Sequence, residues 1–75
     1  MGGWLLKLNN RGLEPPQPMV RTLDALERLG DHQSLIIIND RKPMFLYPEL
    51  EERGYSHDTV SLEDGSYQIT IRKKT

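Results

Sequence analysis

The spacing of hydrophobic positions changes repeatedly along this chain, and each change marks an element. Trp4 to Leu8 is apolar apart from Lys7; the run is too short for a useful helix and suits a first strand. Asn9 and Asn10 weaken the strand pattern, and Gly12 marks a turn. From Pro16 to Leu29 the apolar residues recur at helical spacing. Met19, Leu23, Leu26 and either Leu29 or Gly30 fall on one face, widened by Val20, while Arg21, Asp24, Glu27 and Arg28 point elsewhere. Proline fits the first helical turn, where no N–H bond is lost, so either Pro18 opens the helix behind Gln17 or the helix begins one or two residues earlier. Gly30 is the expected left-handed residue past its end.

Ser34 to Asn39 carries Leu35-Ile36-Ile37-Ile38. β-Branched residues at successive positions indicate a central strand. Such a strand is covered on both faces, or covered on one and packed against a partner on the other, and in a two-layer domain the second case predicts a homodimer. After the polar connection Asn39 to Pro43, Phe45 to Arg53 reads as a short helix. Leu46 and Leu50 form its inner pair, flanked by Phe45 or Tyr47, with Pro48 in the first turn. Gly54 suits a left-handed stop that folds Tyr55 back toward Leu50. Tyr55 to Leu62 is a loosely alternating strand with Val60 and Leu62 on one face, and Glu63-Asp64-Gly65-Ser66 is its turn. Tyr67, Ile69 and Ile71 then alternate with Gln68, Thr70 and Arg72, which gives a dry face and a wet face. Lys73-Lys74-Thr75 reads as a solvated tail.

The order is β-α-β-α-β-β. Right-handed crossovers put both helices on one side, giving a two-layer α/β sandwich with a mixed four-stranded sheet. The opposite sheet face carries Lys7, Gln68, Thr70 and part of the Leu35 to Ile38 run. At 75 residues this is a single domain spanning 1–75.

Composition narrows the chemistry. Hydrophobic residues are 36% and charged residues 28% of the chain, as in a folded domain. The absence of cysteine removes disulfides, thiolate nucleophiles and zinc–sulfur sites. A net charge of -1 argues against an overall pull toward nucleic acid, including through the Arg72-Lys73-Lys74 tail. The apolar run Leu35 to Ile38 is far too short to span a bilayer, and Met1 to Leu6 lacks the basic start of a signal peptide, so a cytoplasmic chain is expected. His32 and His57 are isolated and read as surface residues, and no spacing suggests a metal or other cofactor site. Ser34, Ser56, Ser61 and Ser66 lack a nucleophile-elbow context. Trp4 and Tyr67 could stack a base, but no basic, aromatic platform surrounds them.

Two loops carry the candidate site. Arg11-Gly12-Leu13-Glu14-Pro15-Pro16-Gln17-Pro18-Met19 begins the first helix with three prolines and two charges. Asn39-Asp40-Arg41-Lys42-Pro43 comes directly after the central strand. With the first two strands parallel, both loops meet at one sheet edge, where α/β folds usually hold ligands. The expected binding residues are Arg11, Glu14, Pro15, Pro16, Pro18, Asp40, Arg41 and Lys42. The cations could meet a carboxylate or phosphate, with Asp40 orienting Arg11 or touching the ligand.

Arg11 to Met19 resembles the segment R-G-L-x-C-P-x-P of the TusA/SirA-like superfamily. Arg11, Gly12, Leu13, Pro16 and Pro18 match, while Pro15 stands where those proteins carry the sulfur-accepting cysteine. The whole chain is more similar still to a cysteine-less, uncharacterised branch of that superfamily. Its members show R-G-L-E-P-P-x-P-M followed by D-R-x-P-x-x-L-Y-P-x-L-E-E-R-G, here Asp40 to Gly54, and then a glycine hairpin. The resemblance implies the same two-layer fold. It also implies a domain found alone or joined to hemerythrin-like domains, near denitrification or nitric-oxide genes. The usual acid in the pattern L-D-x-R-G-L is replaced by Asn9 in Leu8-Asn9-Asn10-Arg11, which leaves Glu14 or Asp40 as the expected partner of Arg11. Proline cannot carry a persulfide. The favoured expectation is therefore a non-catalytic module that binds a protein partner or a small anion. The alternative is an accessory domain or non-covalent enzyme of redox or nitrogen-oxide metabolism, with Asp40 and Arg41 doing the polar work.

Overall fold

Four side chains with no solvent exposure, Leu35, Ile37, Ile69 and Ile71, sit in two neighbouring strands and fix the layer structure. The computed structural model describes residues 5–74. In chain order the elements are β1 (Leu5–Asn9), α1 (Gln17–Glu27), β2 (Ser34–Asn39), α2 (Leu46–Glu52), β3 (Tyr55–Ser61) and β4 (Tyr67–Lys73). They form one sheet in the order β1-β2-β4-β3. β1 pairs parallel with β2, and β4 is antiparallel to both β2 and β3. The expected mixed four-stranded sheet is present, with β2 central. Both crossovers step the same way across it, so connections of one hand place both helices on one face.

Alternation sorts the strands into two faces. Toward the helices point Leu6 and Leu8, then Leu35 and Ile37, then Ile69 and Ile71. Ala25, Leu26 and Leu29 from the first helix and its end, with Leu46 and Leu50 from the second, close the core over them. Tyr55 completes it, and its hydroxyl donates to the Leu26 carbonyl at 3.3 Å, tying β3 to α1. The other face carries Lys7, Ile36, Ile38, Gln68 and Thr70, as expected from the sequence, and no element among the described residues lies over it.

Several local expectations need correction. Trp4 lies outside the described residues, as does Thr75. The first helix spans 17–27 rather than 16–29, with Gln17 and Pro18 in its opening positions and Pro16 before them. Val20 does not widen the apolar stripe: it is 59% exposed, and Thr22 and Ala25 are buried instead. A helix lying on a sheet brings its backbone close along the middle of the contact, where small side chains fit. Phe45 does not flank the inner pair of α2; it is 86% exposed, and Tyr47 takes that place. Gly30 has no left-handed backbone, since the positive φ values belong to Gly12, Gly54 and Gly65. The Gly30 N–H instead donates to the Gln33 side chain at 2.7 Å. Gly54, at φ 83, is the helix stop that was expected.

The tail is also less free than expected. Lys73 belongs to β4 and pairs with Asp31 at 3.1 Å, while Lys74 pairs with Glu51 at 3.2 Å. His57 is not a lone surface residue. Its ring stacks on Tyr47 at 4.6 Å and its Nε2 meets Glu51 at 3.1 Å.

Leu50 is fully buried between layers. Leu50→Ala is expected to cost about 2–5 kcal/mol, as cavity-forming core truncations do. Val20→Ala, on the exposed side of α1, should stay within about 0.5 kcal/mol. Urea midpoints of the two variants check the contrast.

Candidate functional site

Strands β1, β2 and β3 run in the same direction, so the segments that leave their C-terminal ends meet at one end of the sheet. Three loops gather there: residues 10–16, residues 40–45, and the turn 62–66. The convergence of the first two is the one expected from the sequence; the third was not foreseen.

A small polar cluster underlies this rim. Asn39 continues the helix-facing alternation of Leu35 and Ile37, so its side chain turns inward and is buried. Its Oδ1 accepts from Asn10 Nδ2 at 3.0 Å, and Asn10 Nδ2 also reaches Thr22 Oγ1 at 3.4 Å. Thr22 in turn donates to the Pro18 carbonyl at 2.8 Å. The Asn10 N–H extends the β1–β2 ladder by one bond, to Ile38 O at 2.8 Å. Asn10 Oδ1 has no partner among the described residues, a cost that the surrounding bonds must offset.

Above this cluster the two loops are tied directly. The carboxylate of Asp40 accepts the Gly12 N–H at 2.7 Å, with Gly12 in the left-handed region at φ 80. Glycine is needed there because a side chain is strained in that backbone conformation. Asp40 therefore positions loop 10–16; it does not orient Arg11. Arg11 turns the other way. Its guanidinium meets Asp64 at 3.2 Å and Ser66 Oγ at 3.3 Å, clamping the first loop to the β3–β4 turn. The expected partner, Glu14 or Asp40, is thus replaced by Asp64. The Ser66 hydroxyl and Ser66 N–H both bond the Asp64 carboxylate. The Ser66 hydroxyl is the largest influence holding the Asp64 carboxyl below its usual range, with Arg11 adding a smaller pull.

The remaining expected residues stay on the outer surface. Glu14, Pro15 and Pro16 are exposed, the Pro15–Pro16 peptide is cis, and Pro18 is half-buried in the first turn of α1. Lys42 Nζ lies 5.8 Å from the centre of the Tyr67 ring. Arg41 is exposed and its side chain has no bond partner among the described residues. Next to it Met44 is 63% and Phe45 86% exposed. The rim therefore gathers the eight expected residues at one end without joining them in one charge cluster. Sequence reasoning missed Asp64, Ser66, Asn10, Asn39, Met44 and Phe45. The missing acid before Arg11 and the Asp-Gly step at 64 were the available signals for Asp64.

None of the rim residues lines the groove of about 330 Å³ found elsewhere, between the outer strand and α1, whose walls include Leu6, Leu8, Ala25 and Arg28. Among the described residues no three His, Asp or Glu side chains are grouped to hold a metal ion. No helix among them is long and apolar enough to cross a membrane.

Comparisons with known proteins agree with the fold. The profile of a family described as uncharacterized conserved protein (DUF2249) matches residues 7–73. A crystal structure of a SirA-like protein from Desulfitobacterium hafniense superposes with a TM-score of 0.82 at 22% identity, covering 93% of this chain and 99% of that one. At that identity the likeness is one of fold. No curated protein matches the chain.

Two outcomes are expected at the rim. Asp40→Ala leaves the Gly12 N–H without its charged acceptor, so that amide should exchange roughly tenfold faster, about 1.4 kcal/mol less protected, in hydrogen-exchange NMR. The second concerns acid. A carboxylate depressed in the folded state adds stability above the usual aspartate value of about 3.9, and that stability is lost as pH falls through the lower folded value. A carboxyl NMR titration should place Asp64 below that usual value, and Ser66→Ala should raise its midpoint more than Arg11→Ala does.

Proposed function

The chain belongs to the DUF2249 family of uncharacterised conserved proteins and has a SirA-like fold, and from that premise we propose that it is a non-catalytic module that docks a protein partner on its three-loop rim. The partner would offer an apolar pocket bordered by acidic groups. The observation that carries this is the exposure of Met44 and Phe45 beside Arg41, which has no side-chain partner among the described residues, on loops whose backbones are fixed by the Gly12–Asp40 and Arg11–Asp64 contacts. A large aromatic residue held almost bare to solvent is unfavourable in the free chain and becomes favourable on docking. Fixed loops lose little entropy when a partner binds.

The same geometry weighs against the other readings. Covalent sulfur carriage has no thiol to run on in this chain, which contains no cysteine. A small anion would need convergent cations, but Arg11 faces Asp64 and Lys42 lies over Tyr67. Turnover as an accessory enzyme in redox or nitrogen-oxide metabolism would need an enclosed site, and the groove beside α1 lies away from the rim.

Photo-crosslinking in the native host tests the proposal, with benzoylphenylalanine at position 45 and, as a control, at the exposed position 20. A discrete adduct with a second protein is expected at 45, absent at 20 and lost in the Arg41→Glu background. No adduct at 45, an adduct with a second copy of this chain, or equal adducts at both positions would overturn it.

A further inference from the structure

The sheet face away from the helices has a charge pattern that fits itself. Across the strands, the register places Lys7 opposite Ile36, Ile36 opposite Thr70 and Thr70 opposite Asp58. One row of the open face therefore runs Lys7, Ile36, Thr70, Asp58, with the cation on one edge strand and the anion on the other. Both charged residues are exposed and their side chains have no partner among the described residues. The rows on either side hold Leu5, Ser34, Arg72 and Ser56, and Asn9, Ile38, Gln68 and Val60. Leu5 and Val60 are 56% and 55% exposed.

We propose that this face is the interface of a homodimer, two copies packing sheet to sheet about a two-fold axis that runs along the strands between β2 and β4. That axis lays β1 of one copy over β3 of the other, row for row. Lys7 then faces Asp58 of the second copy, and the symmetric pair forms at the opposite edge. Leu5 and the second copy's Val60 flank each pair within the same column and shield it from water. Arg72 faces a serine, Ser34, rather than a like charge. The alternative axis, in the plane of the sheet and across the strands, sets Lys7 over Lys7 and is disfavoured by repulsion. Sheets packed face to face lie about 10 Å apart, and a lysine stem crosses most of that gap. A net charge of -1 offers little opposition to self-association.

The size of the face sets the strength. Four strands about 4.8 Å apart, each showing three residues about 6.7 Å apart, give a flat footprint of roughly 400 Å². Even with side-chain relief this is below the about 800 Å² per partner of a standard stable interface. The dimer is therefore weak and concentration-dependent, and the rim, at the sheet end, stays open in both states.

Sedimentation equilibrium from about 10 µM to about 1 mM chain is the test. Wild type should dimerise within that range. Lys7→Asp and Asp58→Lys each turn two attractive pairs into two repulsive ones and should weaken self-association by roughly tenfold or more. Mixed in equal amounts, the two variants restore opposite charges at both edges and should form a heterodimer, visible as the mixed mass in native mass spectrometry. Glu27→Lys, on the outer side of α1, should leave the constant unchanged. A wild-type chain that stays monomeric at the highest concentration overturns the proposal. So does a dimer that neither substitution weakens, or two variants that fail to combine on mixing.

Discussion

The inward alternation of β2 is the constraint on which the other features are built. Leu35 and Ile37 face the helices in register with Ile71 and Ile69 of β4, and with Leu6 and Leu8 of β1. A one-residue slip would turn every one of these side chains out of the core. The same parity sends Asn39 inward at the end of the strand, where it is only 6% exposed. A buried amide must find partners, and Asn39 finds Asn10 at 3.0 Å. The polar cluster under the rim is thus the last step of the core's own alternation. Asp40, the next residue, emerges at the surface and is placed to accept the Gly12 N–H.

This coupling explains how a rim without a reactive group keeps a defined shape. Each of its three loops is tied to another: the first to the second by Asp40, the first to the third by Arg11. Those are short-range contacts between polar groups on the surface, individually worth little. They gain from closing loops whose ends the sheet has already fixed, so little further chain entropy is lost in forming them. The outcome is a rim whose backbones are set and whose outermost side chains, Arg41, Met44 and Phe45, are left to solvent.

Much of the fold was legible in the sequence because it is local. The run Leu35 to Ile38, the alternation of Tyr67, Ile69 and Ile71, and Gly54 after a helical pair each carry their meaning within a few residues. The features that were not legible depended on contacts distant in sequence. Asp64 lies far along the chain from Arg11; the missing acid before Arg11 and the Asp-Gly step at 64 mark each residue locally, but only the fold joins them. Val20 and Thr22 are both β-branched, and only the seat of α1 on the sheet decides that Thr22 is buried and Val20 exposed. Phe45 reads as core by composition. It stands immediately before the first turn of α2, where the chain has not yet turned its apolar side toward the sheet. The convergence of two loops was predictable from parallel strands, whereas the third loop required the order β1-β2-β4-β3.

That strand order also separates the two surfaces the chain leaves open. With both helices on one side, the covered face supplies the core and the uncovered face carries a mixed row with Lys7 at one edge and Asp58 at the other. The rim belongs to neither face; it is the end of the sheet, built from the loops that leave the C-terminal ends of β1, β2 and β3. A partner seated on the rim therefore need not compete with a second copy seated on the open face. Self-association would then present two rims at once, set by the two-fold axis to point in the same direction along the strands. A partner with two matching sites would be held by both, so a weak dimer could raise the effective affinity of a weak rim without any new contact.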